Sequence, residues 1–145
     1  MYLVDTNVIS ELRKGKKADP GVKALLKAEE DHLFLPVQAI GELSFSIESL
    51  KRKSDLAQAK LVQRWLDSVL EAFEGRVLSF DQSCAMVWGR LRSGNDQNLI
   101  DKQIAAMALI YNLTVITRNT RHYDGTGVRV LNPFLADRSS DDSVN

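Results

Sequence analysis

Three acidic residues stand where an acid can do chemistry. Asp5 directly follows the apolar run Tyr2-Leu3-Val4, and in open α/β sheets ligands bind just beyond the carboxyl ends of strands. Glu42 sits in a helical pattern whose apolar stripe is Ile40, Leu43, Ile47 and Leu50, about 110° from its centre on the side of Ser46 and Ser49. Asp101 begins the stripe of Ile104, Ala105 and Ala108, in a segment apolar all round from Ile104 to Tyr111. Such a segment reads as a buried helix, so Asp101 lies near the top of a core. A carboxylate there is costly unless paired, hydrogen-bonded or bound to a cation.

Each acid also has an ordinary structural role. Asp5 can cap the following helix, Glu42 can be a surface glutamate, and Asp101 can be a first-turn acid facing back to Asn98. Brought together, three carboxylates would repel one another, and a cation resolves that repulsion. Hard oxygen donors favour Mg²⁺ or Mn²⁺, ions that activate water and clamp the oxygens of a phosphodiester. Cys84 is the only cysteine and His32 and His122 the only histidines. An internal disulfide framework and a Cys/His zinc cluster are therefore excluded.

The elements that must position these residues follow from the pattern. Tyr2–Val4 reads as a strand, Asp5-Thr6-Asn7 as a turn, and Val8, Ile9 and Leu12 as a helix running to Gly15. Asp19-Pro20 is an N-cap with proline at the first helical position, opening a helix to about Asp31. His32–Leu35 is a strand, and Pro36 starts the helix carrying Glu42. Ser54 and Asp55 open a long helix stopped by Gly75; Arg76–Ser79 is a strand; Asp81 caps the next helix. A helix over Leu99–Asn112 and strands at Thr114–Thr117 and Val128–Leu131 complete the domain. Short strands alternating with helices imply an α/β domain with a mainly parallel central sheet covered by helices on both faces. Residues 1–135 form this single domain, and the acidic tail 136–145 is expected to stay disordered.

The 145 residues carry 19 basic and 19 acidic side chains, a balance that argues against a general nucleic-acid coat. The charge is uneven. Basic residues gather at Arg13, Lys14, Lys16 and Lys17 and at Lys51, Arg52 and Lys53, where they are candidate RNA phosphate contacts or solvated helix ends. No apolar run approaches the ~20 residues of a membrane span, and the N-terminus lacks the pattern of a secretory signal. The expected location is the cytoplasm, with no membrane partner.

The acidic motifs together resemble the PIN-domain family, and within it the VapC-type toxins of VapBC toxin–antitoxin modules, including their FitB-like branch. Leu3–Glu11 is similar to the family's first acidic motif, Ile40-Gly41-Glu42-Leu43 to the second, Asp101–Ala108 to the third and Thr117-Arg118-Asn119 to the fourth. Val128–Phe134 resembles the closing strand and exit. The resemblance implies a PIN-like three-layer fold and a metal-dependent endoribonuclease in which Asp5, Glu42 and Asp101 hold Mg²⁺ or Mn²⁺ and are the catalytic acids. Thr6, Asn7, Thr117 and Asn119 would orient carboxylates or water. It further implies an RNA substrate, cleavage leaving a 5′-phosphate and a 3′-hydroxyl, and a small VapB-type antitoxin whose C-terminal segment covers the site. A homodimer, with promoter DNA bound only through the antitoxin, is also implied.

The fourth position departs from the pattern. Some relatives carry aspartate where Asn119 stands, and many carry another acid where this chain has His122. Three anionic ligands and a weak or absent second metal site are expected, with His122 structural or at the surface. Two alternatives remain: a catalytically silent partner of an antitoxin, and a haloacid-dehalogenase-like phosphotransfer enzyme. The latter would want an acid two residues after Asp5, where Asn7 stands.

Overall fold

The computed structural model describes residues 1–141. In chain order, β1 (Tyr2–Val4) leads into α1 (Thr6–Glu11), a 3₁₀ segment (Leu12–Lys17) and α2 (Pro20–Ala28). A 3₁₀ turn (Glu30–His32) precedes β2 (Leu33–Pro36), α3 (Val37–Arg52), α4 (Leu56–Ala72) and β3 (Val77–Leu78). Then come α5 (Gln82–Gly94), α6 (Leu99–Tyr111), β4 (Thr114–Ile116), a 3₁₀ turn (Thr120–Tyr123), β5 (Val130–Leu131) and α7 (Leu135–Asp141).

The five strands pair in the order β3-β2-β1-β4-β5, every pair parallel. Leu3 and Val4 face opposite sides of the sheet, as successive strand residues must. Val4 and Ile116 join a core with Val8, Leu26, Leu43, Ile47, Val62 and Leu66, contributed by α1 to α4. Leu3 and Val115 join Cys84, Ile104, Ala105, Met107 and Tyr123, mainly from α5 and α6. Two cores on one sheet make the three layers.

The chain moves outward from β1 through β2 to β3, then returns to lay β4 on the other side of β1. The order therefore reverses between β1 and β4, and their carboxyl ends border the crevice where such sheets bind ligands. Asp5 and Thr117 are the residues that emerge there.

The expected caps form: Asp19 accepts from Gly21 N and Val22 N, Asp55 from Gln58 N and Asp81 from Cys84 N. The first helix is shorter than its pattern indicates. It gives way at Leu12 to the 3₁₀ segment, in which Gly15 takes a left-handed φ of 60°, a conformation that suits glycine.

The tail requires a correction. Residues expected to be disordered from 136 onward are helical through Asp141; residues 142–145 lie outside the described residues. Asp19 explains the ordering, since its carboxylate caps α2 and also accepts from Leu135 N and Ala136 N. Arg118 adds a two-pronged bond to Asp137 and lies 4.3 Å from the centre of the Phe134 ring. Asp19 is more than a hundred residues from the Leu135 and Ala136 N–H groups it accepts from, and such partners are invisible to tail composition.

Candidate active site

Asp5 is 3% exposed, and both its oxygens are engaged. Oδ1 accepts from Thr6 N at 2.8 Å, which starts α1. Oδ2 accepts from Thr117 Oγ1 at 2.8 Å and from the Tyr123 hydroxyl at 3.1 Å. The cap and the oriented carboxylate are thus one arrangement, so the two roles open to Asp5 are compatible.

Thr117 is wholly buried and acts as the hub. Its hydroxyl gives its proton to Asp5 and accepts from Asn119 N at 3.1 Å and Asn7 Nδ2 at 3.4 Å. The Asn7 side-chain oxygen accepts from Arg118 N at 3.1 Å. Asn7 therefore ties α1 to the segment after β4, and Asn119 contributes through its backbone.

Asp101 projects from the first turn of α6 and does not face back to Asn98, which caps nothing with its side chain. Its Oδ2 lies 2.8 Å from His122 Nδ1. An ionised carboxylate only accepts, so Nδ1 carries the proton. His122 is at the surface, 44% exposed, and the contact adds to that expectation a partner, Asp101.

Glu42 lies on the exposed side of α3, as its angle from the stripe indicates. Gln38 Nε2 donates to Gln103 Oε1 at 3.2 Å and fastens the first turn of α3 to the second of α6. The neighbouring Lys102 is buried, with Nζ donating to the carbonyls of Asn95 and Gln97. It closes the loop from which Asp101 rises.

Asp5 and Glu42 sense the neighbouring acids. Desolvation raises the Asp5 carboxyl above its ordinary value; the Thr117 bond opposes that rise and the charge of Asp101 adds to it. Desolvation likewise raises Glu42, reinforced by the charges of Asp5 and Asp101. Burial, and then the charge of Asp5, keep the Tyr123 phenol protonated far above its usual range. Among the described residues no three His, Cys, Asp or Glu side chains are close enough to hold an ion as they stand. The donor set itself, three hard carboxylates of which Asp101 raises the pKa of the other two, fits a hard divalent cation.

Of the basic residues, Arg13 borders the site. It shares a cavity of about 430 Å³ with Thr6, Ser10, Gln38, Glu42 and Phe45, and its guanidinium lies 5.7 Å from the centre of the Trp65 ring. Lys14 pairs with Glu11 and Lys51 with Glu48. Lys16 and Lys17 close the 3₁₀ segment. Arg52 ends α3, about 15 Å along the axis from Glu42 at 1.5 Å per residue, with Lys51 and Lys53 beside it. That cluster is not gathered into the site.

Sequence reasoning missed Tyr123. It is the one aromatic residue in the polar stretch from Thr117 to Gly127, and that isolation was the available signal.

Residues 2–127 match the family model of the PIN domain. The chain is 32% identical over 141 residues to Toxin FitB of Neisseria gonorrhoeae, covering 92% of this chain and 99% of that protein. It is 33% identical over 144 residues to VapC ribonuclease Y4jK of Sinorhizobium fredii, covering 92% and 98%. In structure it is similar to FitAcB from Neisseria gonorrhoeae, with a TM-score of 0.75, 33% identity, and 92% and 98% of the two chains covered. It is also similar to a toxin–antitoxin complex from Klebsiella pneumoniae, with a TM-score of 0.69, 25% identity, and 92% and 98% covered. The doubly wound parallel sheet, the acids at its switch point and a family match across most of the chain agree: the chain belongs to the PIN-domain family.

Proposed function

We propose that the protein is a Mg²⁺- or Mn²⁺-dependent endoribonuclease, the toxin of a toxin–antitoxin module, held inactive by a small VapB-type antitoxin. The observation that carries this reading is the Asp5 carboxylate, buried at the switch point and fixed by Thr117 and Tyr123, feeling the charge of Asp101 and raising Glu42 in turn. A structural cap needs only the Thr6 N–H; two further hydroxyl donors on the other oxygen fix an orientation.

In this reading Asp5, Glu42 and Asp101 hold the ion, which when bound supplies Lewis-acid activation of water and neutralises charge on the phosphate. Thr117 and Tyr123 hold Asp5 in one rotamer. His122 does the same for Asp101, and Asn7 fixes the segment that carries Thr117. Arg13 attracts the RNA backbone toward an otherwise acidic crevice. The antitoxin is expected to place an Arg or Lys over the three carboxylates, since guanidinium pairs with two carboxylate oxygens at once. Similarity to a protein named Toxin FitB and to a solved toxin–antitoxin complex supports that partner, and similarity to a VapC ribonuclease supports RNA as substrate.

The test is purified full-length protein incubated with RNA in Mg²⁺, Mn²⁺ or EDTA, with the new 5′ ends mapped. Metal-dependent cuts bearing 5′-phosphates are expected, absent in Asp5→Asn and suppressed by the small protein encoded next to this one. Equal cleavage by Asp5→Asn would overturn the assignment. Antitoxin binding without any turnover would leave a silent PIN-fold partner.

A further inference from the structure

The cavity beside Glu42 is more than an extension of the acidic crevice. Its wall is formed by Thr6, Ser10, Arg13, Gln38, Glu42 and Phe45, and Ile100 completes it from the start of α6. Its volume, about 430 Å³, falls in the range of roughly 300–1,000 Å³ typical of small-ligand sites. Three features of this cavity are unexplained by the carboxylate site.

Phe45 is 74% exposed and Ile100 45%. Phe45 follows Glu42 by three residues on α3, so their Cβ atoms lie roughly 5–6 Å apart on one helix face. An aromatic face is therefore presented within one nucleotide's reach of a carboxylate of the site. Phe45 contributes nothing to either core.

Among the described residues, Gln38 Oε1 is a buried side-chain oxygen without a hydrogen-bond partner, whereas the Thr6 hydroxyl faces Glu42 and holds its pKa down. Both residues border this cavity. Leaving a buried polar atom unpaired is costly, and in a native protein it calls for a partner. The Gln38 amide is half used, since its nitrogen already donates to Gln103, and its oxygen has no partner within the protein. Beside Gly41 there is open space, with nothing within 4 Å of where a Cβ would stand.

Arg13 supplies the third feature, a cation at the rim that also lines a second hollow with Asn7, Ser10 and Lys14. A ring to stack on, an amide to read an edge and a cation to meet a phosphate are together complementary to an unpaired nucleotide.

The geometry points to a nucleobase subsite: one unstacked base of a single-stranded RNA, next to the scissile phosphate, stacks on Phe45 with its edge toward Gln38 while Arg13 meets a flanking phosphate. This rests on the ribonuclease reading and adds to it where the strand is gripped and what reads the base.

The experiment measures binding of a labelled single-stranded oligoribonucleotide to full-length protein carrying Asp5→Asn, so that the strand stays intact. A matching set of strands lacks the base at each position in turn. Phe45→Ala is expected to weaken binding of the intact strand about 5- to 150-fold, the span of base–aromatic stacking, while Phe45→Trp retains it. One base-less strand should lose affinity to a similar degree and lose nothing further on Phe45→Ala. Gln38→Leu should alter which base is preferred at that position and leave the base-less strand unaffected. Because Phe45 is exposed, its removal leaves the cores intact.

Unchanged RNA affinity in Phe45→Ala would overturn the subsite. So would losses that add at every position, or an effect confined to self-association or antitoxin binding, which would make Phe45 a protein contact. Cleavage by the otherwise wild-type chain, measured in parallel, separates the two levels. If it cuts RNA while Phe45→Ala binds normally, only the subsite falls; if it cuts no RNA, the ribonuclease reading falls and the subsite with it.

Discussion

The Tyr123 hydroxyl donates to Asp5 Oδ2 across 118 residues of sequence, at 3.1 Å and with both side chains buried. The phenol arrives there because the 3₁₀ turn Thr120–Tyr123 folds back over the end of β4, packing the ring among Leu3, Ile104 and Val115. One residue thus contributes its ring to the core and its hydroxyl to the site.

Replacing that hydroxyl isolates its second role. Tyr123→Phe keeps the ring and leaves Asp5 Oδ2 with Thr117 alone. Hydrogen bonds to charged groups contribute about 1.5–3 kcal/mol, so the variant should be destabilised toward the lower end of that range, with cleavage reduced about tenfold. Chemical denaturation and initial cleavage rates check both. Wild-type values for each would mean that Thr117 alone holds Asp5.

Asp5→Asn tests the carboxylate without removing the cap. Asparagine keeps an oxygen for Thr6 N and turns its amide toward the Tyr123 hydroxyl, which can accept. Metal-dependent cleavage should be lost, while metal-free stability holds or rises because repulsion with Glu42 and Asp101 is relieved. Melting in EDTA and cleavage in Mn²⁺ measure the two effects separately.

The places of the motif acids and Thr117 on their elements were legible in sequence because strand ends and helix stripes are local patterns. Tyr123 and His122 were less so, because their contacts are made by a turn folding back onto another element. Lys102 is a stronger instance: periodicity places it beside Asp101, yet nothing local indicates that its ammonium is buried against the carbonyls of Asn95 and Gln97. The order of 136–141 was illegible for the same reason, since Asp19 reaches α7 from near the opposite end of the chain.

Stability of the metal-free protein should depend on pH in a stated direction. Asp5 and Glu42 titrate above their ordinary 3.8 and 4.5, with burial the leading cause. The folded state therefore holds protons that the unfolded state has already released, and stability falls as pH rises from about those ordinary values through the raised ones. Asp19 and Asp137 behave oppositely: the former is lowered by four backbone N–H groups that outweigh its desolvation, the latter chiefly by Arg118. Their contribution is lost as pH falls below the ordinary 3.8 through their depressed values. Melting temperature in EDTA should rise from neutral pH into the mildly acidic range and drop below it. Asp5→Asn should show a smaller acidic rise, and an identical pH profile would exclude Asp5 as a source.

The basic clusters should separate in RNA binding. Arg13 borders the Glu42 cavity, whereas Arg52 lies at the far end of α3. Arg13→Gln should weaken binding and reduce the salt slope by about one phosphate's worth, with Arg52→Gln close to wild type. Binding isotherms at several salt concentrations decide the order, and equal effects would extend the RNA path along the whole helix.

The fourth position offers the finest test, because Asn119 and His122 act differently. Asn119 is exposed and contributes its backbone N–H to Thr117, so Asn119→Asp keeps that bond and adds a hard anionic oxygen. Divalent affinity should rise, and metal-free stability should fall because a further negative charge joins Asp5, Glu42 and Asp101. His122 instead orients Asp101. His122→Ala frees that carboxylate to rotate, and groups that orient metal ligands typically account for about 10–100-fold in affinity or activity. Weaker metal binding and slower cleavage are therefore expected, with stability changed by no more than about 0.5 kcal/mol for so exposed a pair. Calorimetric Mn²⁺ titration of the wild type and both variants, with melts in EDTA, reads all four effects. Stronger binding in Asn119→Asp with weaker binding in His122→Ala would establish that this chain replaces a fourth acid by a residue that holds the third. Unchanged binding in His122→Ala would reduce the histidine to a surface contact.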